Sequence, residues 1–148
     1  AYDPYIKPEA VKDFGVTLVS REELLAQSDF ISMHLLLNED TRKSINADFF
    51  KKMKNSAIFV NTARGGLVDE DALIEALRTG EIAGAALDVL TEEGIDKDAP
   101  LQKFDNVIIT PHAAWYSEQA FYTLLTSAAQ EIVRALHGEP VKNQVNHF

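Results

Sequence analysis

The chain is 148 residues long, with 46% hydrophobic and 25% charged residues, a balance suited to one soluble globular domain with a proper core. Its net charge of −9, with no Lys/Arg cluster, argues against nucleic acid, and the absence of cysteine excludes disulfides and thiolate metal sites. No apolar run reaches the roughly 20 residues of a membrane helix, and the N-terminal AYDPYIKPEA lacks the regions of a signal peptide, so a cytoplasmic setting without a membrane partner is expected.

Taken in chain order, short apolar runs alternate with amphipathic ones. VTLVS (16–20) reads as a strand, and Ser20 with Glu23 forms a capping-box pattern ahead of the helix EELLAQ. FISMHLLL (30–37) reads as the next strand, followed by ADFFKKMK, which Asn46 can cap and Asn55 can close. AIFVN (57–61) is a third strand; Asp69 can cap EDALIEALRT, and Gly80 is a good helix stop. AGAALDV (83–89) and VIIT (107–110) complete the strands, and the longest helix runs from Ser117 to a stop at Gly138. Most strands are continuously apolar, as expected when helices cover both sheet faces. The alternation predicts an α/β fold with a doubly wound, parallel, Rossmann-like sheet.

In such sheets ligands bind beyond the carboxyl ends of the strands, so the polar residues that follow strands are the candidates. They are Asp3, Arg64 after FVNT, Asp88 and Glu93 after AALDV, and His112 after VIIT. Taken singly, each has a plainer reading. Asp3 with Pro4 can simply open a turn, Arg64 can be a surface arginine, Glu93 can be solvated in its acidic loop, and His112 can be structural. Five such groups at one edge make a stronger case than any member. An arginine fork can grip a carboxylate in two places. Histidine gives and takes hydroxyl protons near neutral pH, and a carboxylate on its other ring nitrogen would fix its tautomer. Together these groups suit hydride exchange between a dinucleotide and a 2-hydroxy or 2-keto acid. The glycines after Arg64 are expected to supply backbone angles closed to other residues. His34 lies within an apolar strand and reads as structural; His137 and His147 are distant, and no spacing suggests a metal.

VNTARGGLVDEDAL, ALDV with its following glutamate, and TPHAAW resemble three signature segments of the D-isomer-specific 2-hydroxyacid dehydrogenases, in the same order and over essentially the whole chain. The resemblance implies that Arg64 binds the substrate carboxylate and carbonyl, that His112 is the acid/base, and that Glu93 is its partner. It implies NAD as cofactor: Asp3 for the adenine-ribose hydroxyls, Leu35 and Leu36 along the cofactor, Thr62, Ala63 and Arg64 beside the nicotinamide, and Asp88 and His112 near that ring. Leu36 and Gly94 stand where the family usually carries proline. TPHAAWYSEQA and NQVN look closest to the C-terminal-binding-protein branch, which places Trp115 near the substrate pocket. That branch offers an alternative from another class, an NAD(H)-sensing corepressor module. The family's G-x-G-x-x-G phosphate loop and substrate domain are expected ahead of residue 1. On this reading residues 1–137 are a partial dinucleotide-binding domain, incomplete at its first strand and glycine-rich loop. Residues 138–148 are a tail returning to the substrate domain. A homodimer and a small keto- or hydroxy-acid substrate are the implied partners.

Overall fold

The computed structural model describes residues 1–92, 94 and 99–145. They fall into two compact units, Ala1–His112 and Ala113–Phe148. In the first, α1 (Arg21–Gln27) leads to β1 (Phe30–Met33), α2 (Ala47–Lys51) to β2 (Ile58–Asn61), and α3 (Glu70–Thr79) to β3 (Gly84–Leu87) and then β4 (Val107–Ile109). The four strands pair in parallel in the order β1-β2-β3-β4. Parallel neighbours joined through helices make the α/β, Rossmann-like architecture the sequence predicts.

One pleat of the sheet carries Ile31, Phe59 and Ala85, all buried, in a core with Phe49 and Phe50 of α2 and Leu73, Ala76 and Leu77 of α3. Phe49, Phe50 and Phe59 meet edge to face, with ring centroids 5.4 to 6.1 Å apart. That geometry sets positive ring edges against negative faces and adds to simple area burial. Arg21 lays its guanidinium over the Phe49 ring and donates to the Ser44 carbonyl, tying α1 to the same core. The opposite pleat leaves Phe30 and Ile108 69% and 66% exposed, so within this unit the sheet is covered most fully on one face.

Helix ends follow the local signals in most places. The hydroxyls of Ser20 and Ser117 each accept a backbone N–H from the following first turn, and the Asn46 carboxamide accepts two. Gly80 closes α3 in the left-handed region at φ 73°, where a side chain would be strained. Two expectations are corrected. Asp69 makes no side-chain cap to α3; its carboxylate turns to Lys43, 3.6 Å away. Residues 16–20 form no strand: the Ala1 amino group donates to the Thr17 carbonyl and Val19 N–H to the Ala1 carbonyl, a contact too short to grow into a ladder. In the second unit α4 (Glu118–Leu136) is a single 19-residue helix. Its Phe121, Leu124, Leu125, Ile132 and Leu136 are exposed.

Candidate functional site

The register sets the geometry. Met33, Asn61, Leu87 and Ile109 are aligned across the four strands, so the chain leaves each strand at the same level. With neighbouring strands about 4.8 Å apart, the residues that follow line one edge at regular spacing. These are His34, Thr62, Asp88 and Thr110.

At β2 the exit is held by the last strand residue. Asn61 is 0% exposed, and its Oδ1 accepts the Ala63 N–H at 3.0 Å while its Nδ2 donates to the Arg64 carbonyl at 3.0 Å. Arg64 is exposed, in an extended conformation, and its Nη1 donates to the Ala63 carbonyl at 2.6 Å. A 3-10 turn, Gly65–Leu67, follows. It is stitched to residues 43–45, since Lys43 and Ile45 donate their N–H groups to the Gly66 and Leu67 carbonyls.

The role expected of the glycines is corrected. Neither Gly65 nor Gly66 takes a positive φ; the need for glycine is steric. A Cβ on Gly65 would overlap the Leu90 carbonyl carbon and oxygen, and one on Gly66 would stand 2.9 Å from a Leu37 methyl. Gly65 therefore lets the loop after β3 press directly onto the Arg64 turn. The same loop is fixed at Thr91, whose N–H donates to the Glu70 carboxylate at 2.5 Å.

Asp88 leaves β3 only 5% exposed. Its N–H donates to the Asn61 carbonyl, and its Oδ1 accepts the Thr110 hydroxyl at 2.5 Å. His112 follows with φ 53°, a left-handed conformation uncommon for non-glycine residues though less so for histidine, asparagine and aspartate, and its N–H donates to the Asp88 carbonyl at 2.9 Å. Backbone strain of this kind persists where the surroundings over-determine it. The carboxyls held below their ordinary range, Asp48 by Lys52 and Glu75 by Arg78, lie on the exposed faces of α2 and α3, outside this cluster.

A cleft of about 390 Å³ runs between the exits of β1 and β2, lined by His34, Leu35, Leu36, Leu37, Thr62, Ala63 and Arg64. Leu35, Leu36, Thr62, Ala63 and Arg64 were all expected there; His34 was not. It stands one residue beyond β1, exposed, with Nε2 3.0 Å from the Ser32 hydroxyl. Its expected place within a strand is thus corrected, because β1 ends at Met33. Asp3 lies outside the residues lining the cleft. Its Oδ1 accepts the N–H groups of Tyr5 and Ile6, the turn that an Asp-Pro pair favours. Trp115, in the second unit, is half-exposed and packs edge-on against Tyr116. Glu93 and His147 lie outside the described residues. Asn61 and Thr110 escaped the sequence reading. A polar residue closing an apolar strand was the available signal for Asn61, because a buried carboxamide must find partners.

The profile described as "D-isomer specific 2-hydroxyacid dehydrogenase, NAD binding domain" matches residues 1–114. The chain belongs to that family. Among its curated relatives are the D-3-phosphoglycerate dehydrogenases of Archaeoglobus fulgidus and Methanocaldococcus jannaschii. The first is 44% identical over 99% of this chain and 28% of that protein, the second 47% identical over 98% and 28%. Solved structures agree: the D-lactate dehydrogenase of Lactobacillus jensenii with NAD+ superposes with a TM-score of 0.88 at 34% identity, over 99% of this chain and 47% of that one. That of Aquifex aeolicus, complexed with NAD and lactic acid, gives 0.84 at 33% identity, over 93% and 46%. The chain thus spans little more than a quarter of these curated dehydrogenases and about half of the solved ones.

Proposed function

We propose that the chain supplies the cofactor side and the catalytic groups of an NAD(H)-dependent D-2-hydroxyacid dehydrogenase, interconverting a 2-hydroxy acid and a 2-keto acid. The observation that carries the reading is the Arg64 turn. It is an exposed guanidinium on a rigidly bonded frame, at the mouth of a cleft, one strand from a buried carboxylate. The cleft fits a cofactor of this type. Its volume lies within the range of small-molecule sites, and its lining mixes the apolar Leu35, Leu36 and Leu37 with the polar His34, Thr62 and Arg64.

On this reading residues 1–137 form the dinucleotide-binding part and residues 138–148 return to a substrate domain. Leu35, Leu36, Thr62 and Ala63 flank the cofactor, Asp88 meets the nicotinamide side, and Asp3 receives the adenine-ribose hydroxyls and repels a 2′-phosphate. When bound, the cofactor would supply a hydride as NADH in reduction and accept one as NAD+ in oxidation. Arg64 holds the substrate carboxylate with its fork, which fixes the reacting carbon. His112 donates a proton to the carbonyl oxygen in reduction and removes it from the hydroxyl in oxidation, so charge balances at every step. Glu93 orients the imidazole through its other nitrogen, and Trp115 is assigned to the substrate side. The working protein is a cytoplasmic homodimer.

In the full-length protein, Arg64→Lys is expected to lower kcat/KM for the keto acid far more than NADH affinity, because lysine lacks the planar fork. Equal loss of both would sink the assignment. The TPHAAWYSEQA and NQVN segments favour one second reading, an NAD(H)-sensing corepressor module. Tight NADH binding with no turnover across pyruvate, glyoxylate, hydroxypyruvate and bulkier keto acids would replace the enzyme with that sensor.

A further inference from the structure

The chemistry assigned to Arg64 needs its guanidinium aimed at one place, yet its side chain is long and exposed, and its Nη1 bonds the neighbouring Ala63 carbonyl. What restricts it must act on the backbone from which it springs. Two peptide groups define that backbone, one between Thr62 and Ala63 and one between Arg64 and Gly65. The Asn61 carboxamide bonds both, its Oδ1 accepting the Ala63 N–H and its Nδ2 donating to the Arg64 carbonyl, each at 3.0 Å. The orientation of the amide is unambiguous. A backbone N–H can only donate and a carbonyl only accept, so oxygen must face Ala63 and nitrogen must face Arg64. A third bond depends on this frame: Arg64 Nη1 reaches the carbonyl of Ala63, whose own N–H is held by Asn61.

The surroundings give this clamp its stiffness. Asn61 is fully buried and paired in the sheet with Met33 and Leu87. Its carbonyl accepts the Asp88 N–H, so one residue bonds both the arginine turn and the start of the loop after β3. We propose that Asn61 is a positioning residue for the 2-keto acid carboxylate. Its carboxamide fixes the path of residues 63–64 and so the aim of the Arg64 fork. This rests on the reading that Arg64 grips that carboxylate.

Asn61 is not itself a lining residue of the cleft, so its carboxamide acts on the site through the backbone of residues 63 and 64 that it bonds. Asn61→Leu keeps size while removing both bonds; Asn61→Asp keeps the acceptor for Ala63 but sets a carboxylate oxygen against the Arg64 carbonyl. The test uses the full-length protein and whichever of pyruvate, glyoxylate or hydroxypyruvate it reduces fastest, beside the amide of the same acid, which lacks the carboxylate. NADH affinity is measured by fluorescence titration, and folding by the urea midpoint. Misaiming one binding group is expected to cut kcat/KM for the acid by up to about 10²-fold, and that for the amide by much less. The acid-to-amide preference should therefore collapse in both variants while NADH affinity holds.

If Asn61→Leu fails to fold, Asn61→Asp decides. A folded variant that keeps the full acid-to-amide preference overturns the proposal, as does one in which acid, amide and NADH binding fall together. Arg64→Lys run in parallel separates the two claims. A preference untouched by Arg64→Lys means that the assignment of Arg64 has failed. One lost in Arg64→Lys but retained in Asn61→Asp means that only the role of Asn61 has.

Discussion

Gly65→Ala is the smallest change that should damage this chain severely. The added methyl would overlap the carbonyl carbon and oxygen of Leu90 and stand 2.5 Å from the Thr91 nitrogen. Carbon atoms pack comfortably at about 3.5–4.0 Å, so the 90–91 backbone would have to retreat by roughly 1 Å or more. It is pinned at both ends: the Asp88 N–H bonds the Asn61 carbonyl, and the Thr91 N–H bonds the Glu70 carboxylate. Retreat sacrifices the second bond, worth about 1.5–3 kcal/mol because its acceptor is charged. Overpacking strain adds about 1–3 kcal/mol. The sum is about 2.5–6 kcal/mol, a large share of a domain's stability and roughly 8–19 °C in Tm for a chain of this size. Gly80→Ala is the control. Nothing lies within 4 Å of its Cβ position, and only the left-handed φ of 73° opposes it, at a cost of about 1–2 kcal/mol. Urea midpoints at constant m-value would measure both. A Gly65→Ala protein no less stable than Gly80→Ala would refute the close approach on which this account of the loop depends.

His112→Asn in the full-length protein should reduce turnover by roughly 10²-fold or more while the protein still binds NADH, and near-normal turnover would leave His112 with no proton-transfer role. Thr110→Val removes the hydroxyl that donates to the buried Asp88 carboxylate at 2.5 Å. It should cost about 1.5–3 kcal/mol, seen as a lowered urea midpoint, whereas Thr110→Ser should restore most of the loss. Equal midpoints for the valine and serine variants would show that Asp88 is satisfied without Thr110.

Where structure follows from local chemistry, the sequence was legible. The continuous apolar runs around Phe59, Ala85 and Ile108 became strands, and Ser20, Asn46 and Ser117 capped the helices they precede. Three of the misses share a cause: each turned on a partner distant in sequence. Asp69 had the right position to cap α3 but found Lys43, 26 residues earlier in the chain. VTLVS had strand composition, but the backbone bonds of Thr17 and Val19 run to the single residue Ala1 rather than to a neighbouring strand among the described residues. Gly65 looked like a conformational glycine and proved to be a contact glycine, because Leu90 is unseen from a turn at residue 65. Among site residues, Leu35, Leu36, Thr62, Ala63 and Arg64 line one cleft, whereas the Asp3 carboxylate closes its own local turn. Glu93 lies outside the described residues.

Asn61 and Asp88 are the buried polar side chains among the described residues, and both stand at the carboxyl edge of the sheet. Burying a polar group costs several kcal/mol unless it is bonded, so such groups persist only where the structure gives them partners. Here the partners are backbone groups of residues 63 and 64 and the Thr110 hydroxyl. The exposed groups at the same edge, Arg64 and His112, are the ones suited to meet a substrate. Frame and chemistry are thus carried by different residues. Rigid backbone bonding sets where each reactive side chain begins, while exposure leaves its functional end able to engage a ligand. This division explains why a substitution at Gly65 or Thr110 should register first as lost stability. One at Arg64 or His112 should register first in the kinetics of the keto acid. Asn61, which bonds both the arginine turn and the loop after β3, is where the two kinds of loss should meet.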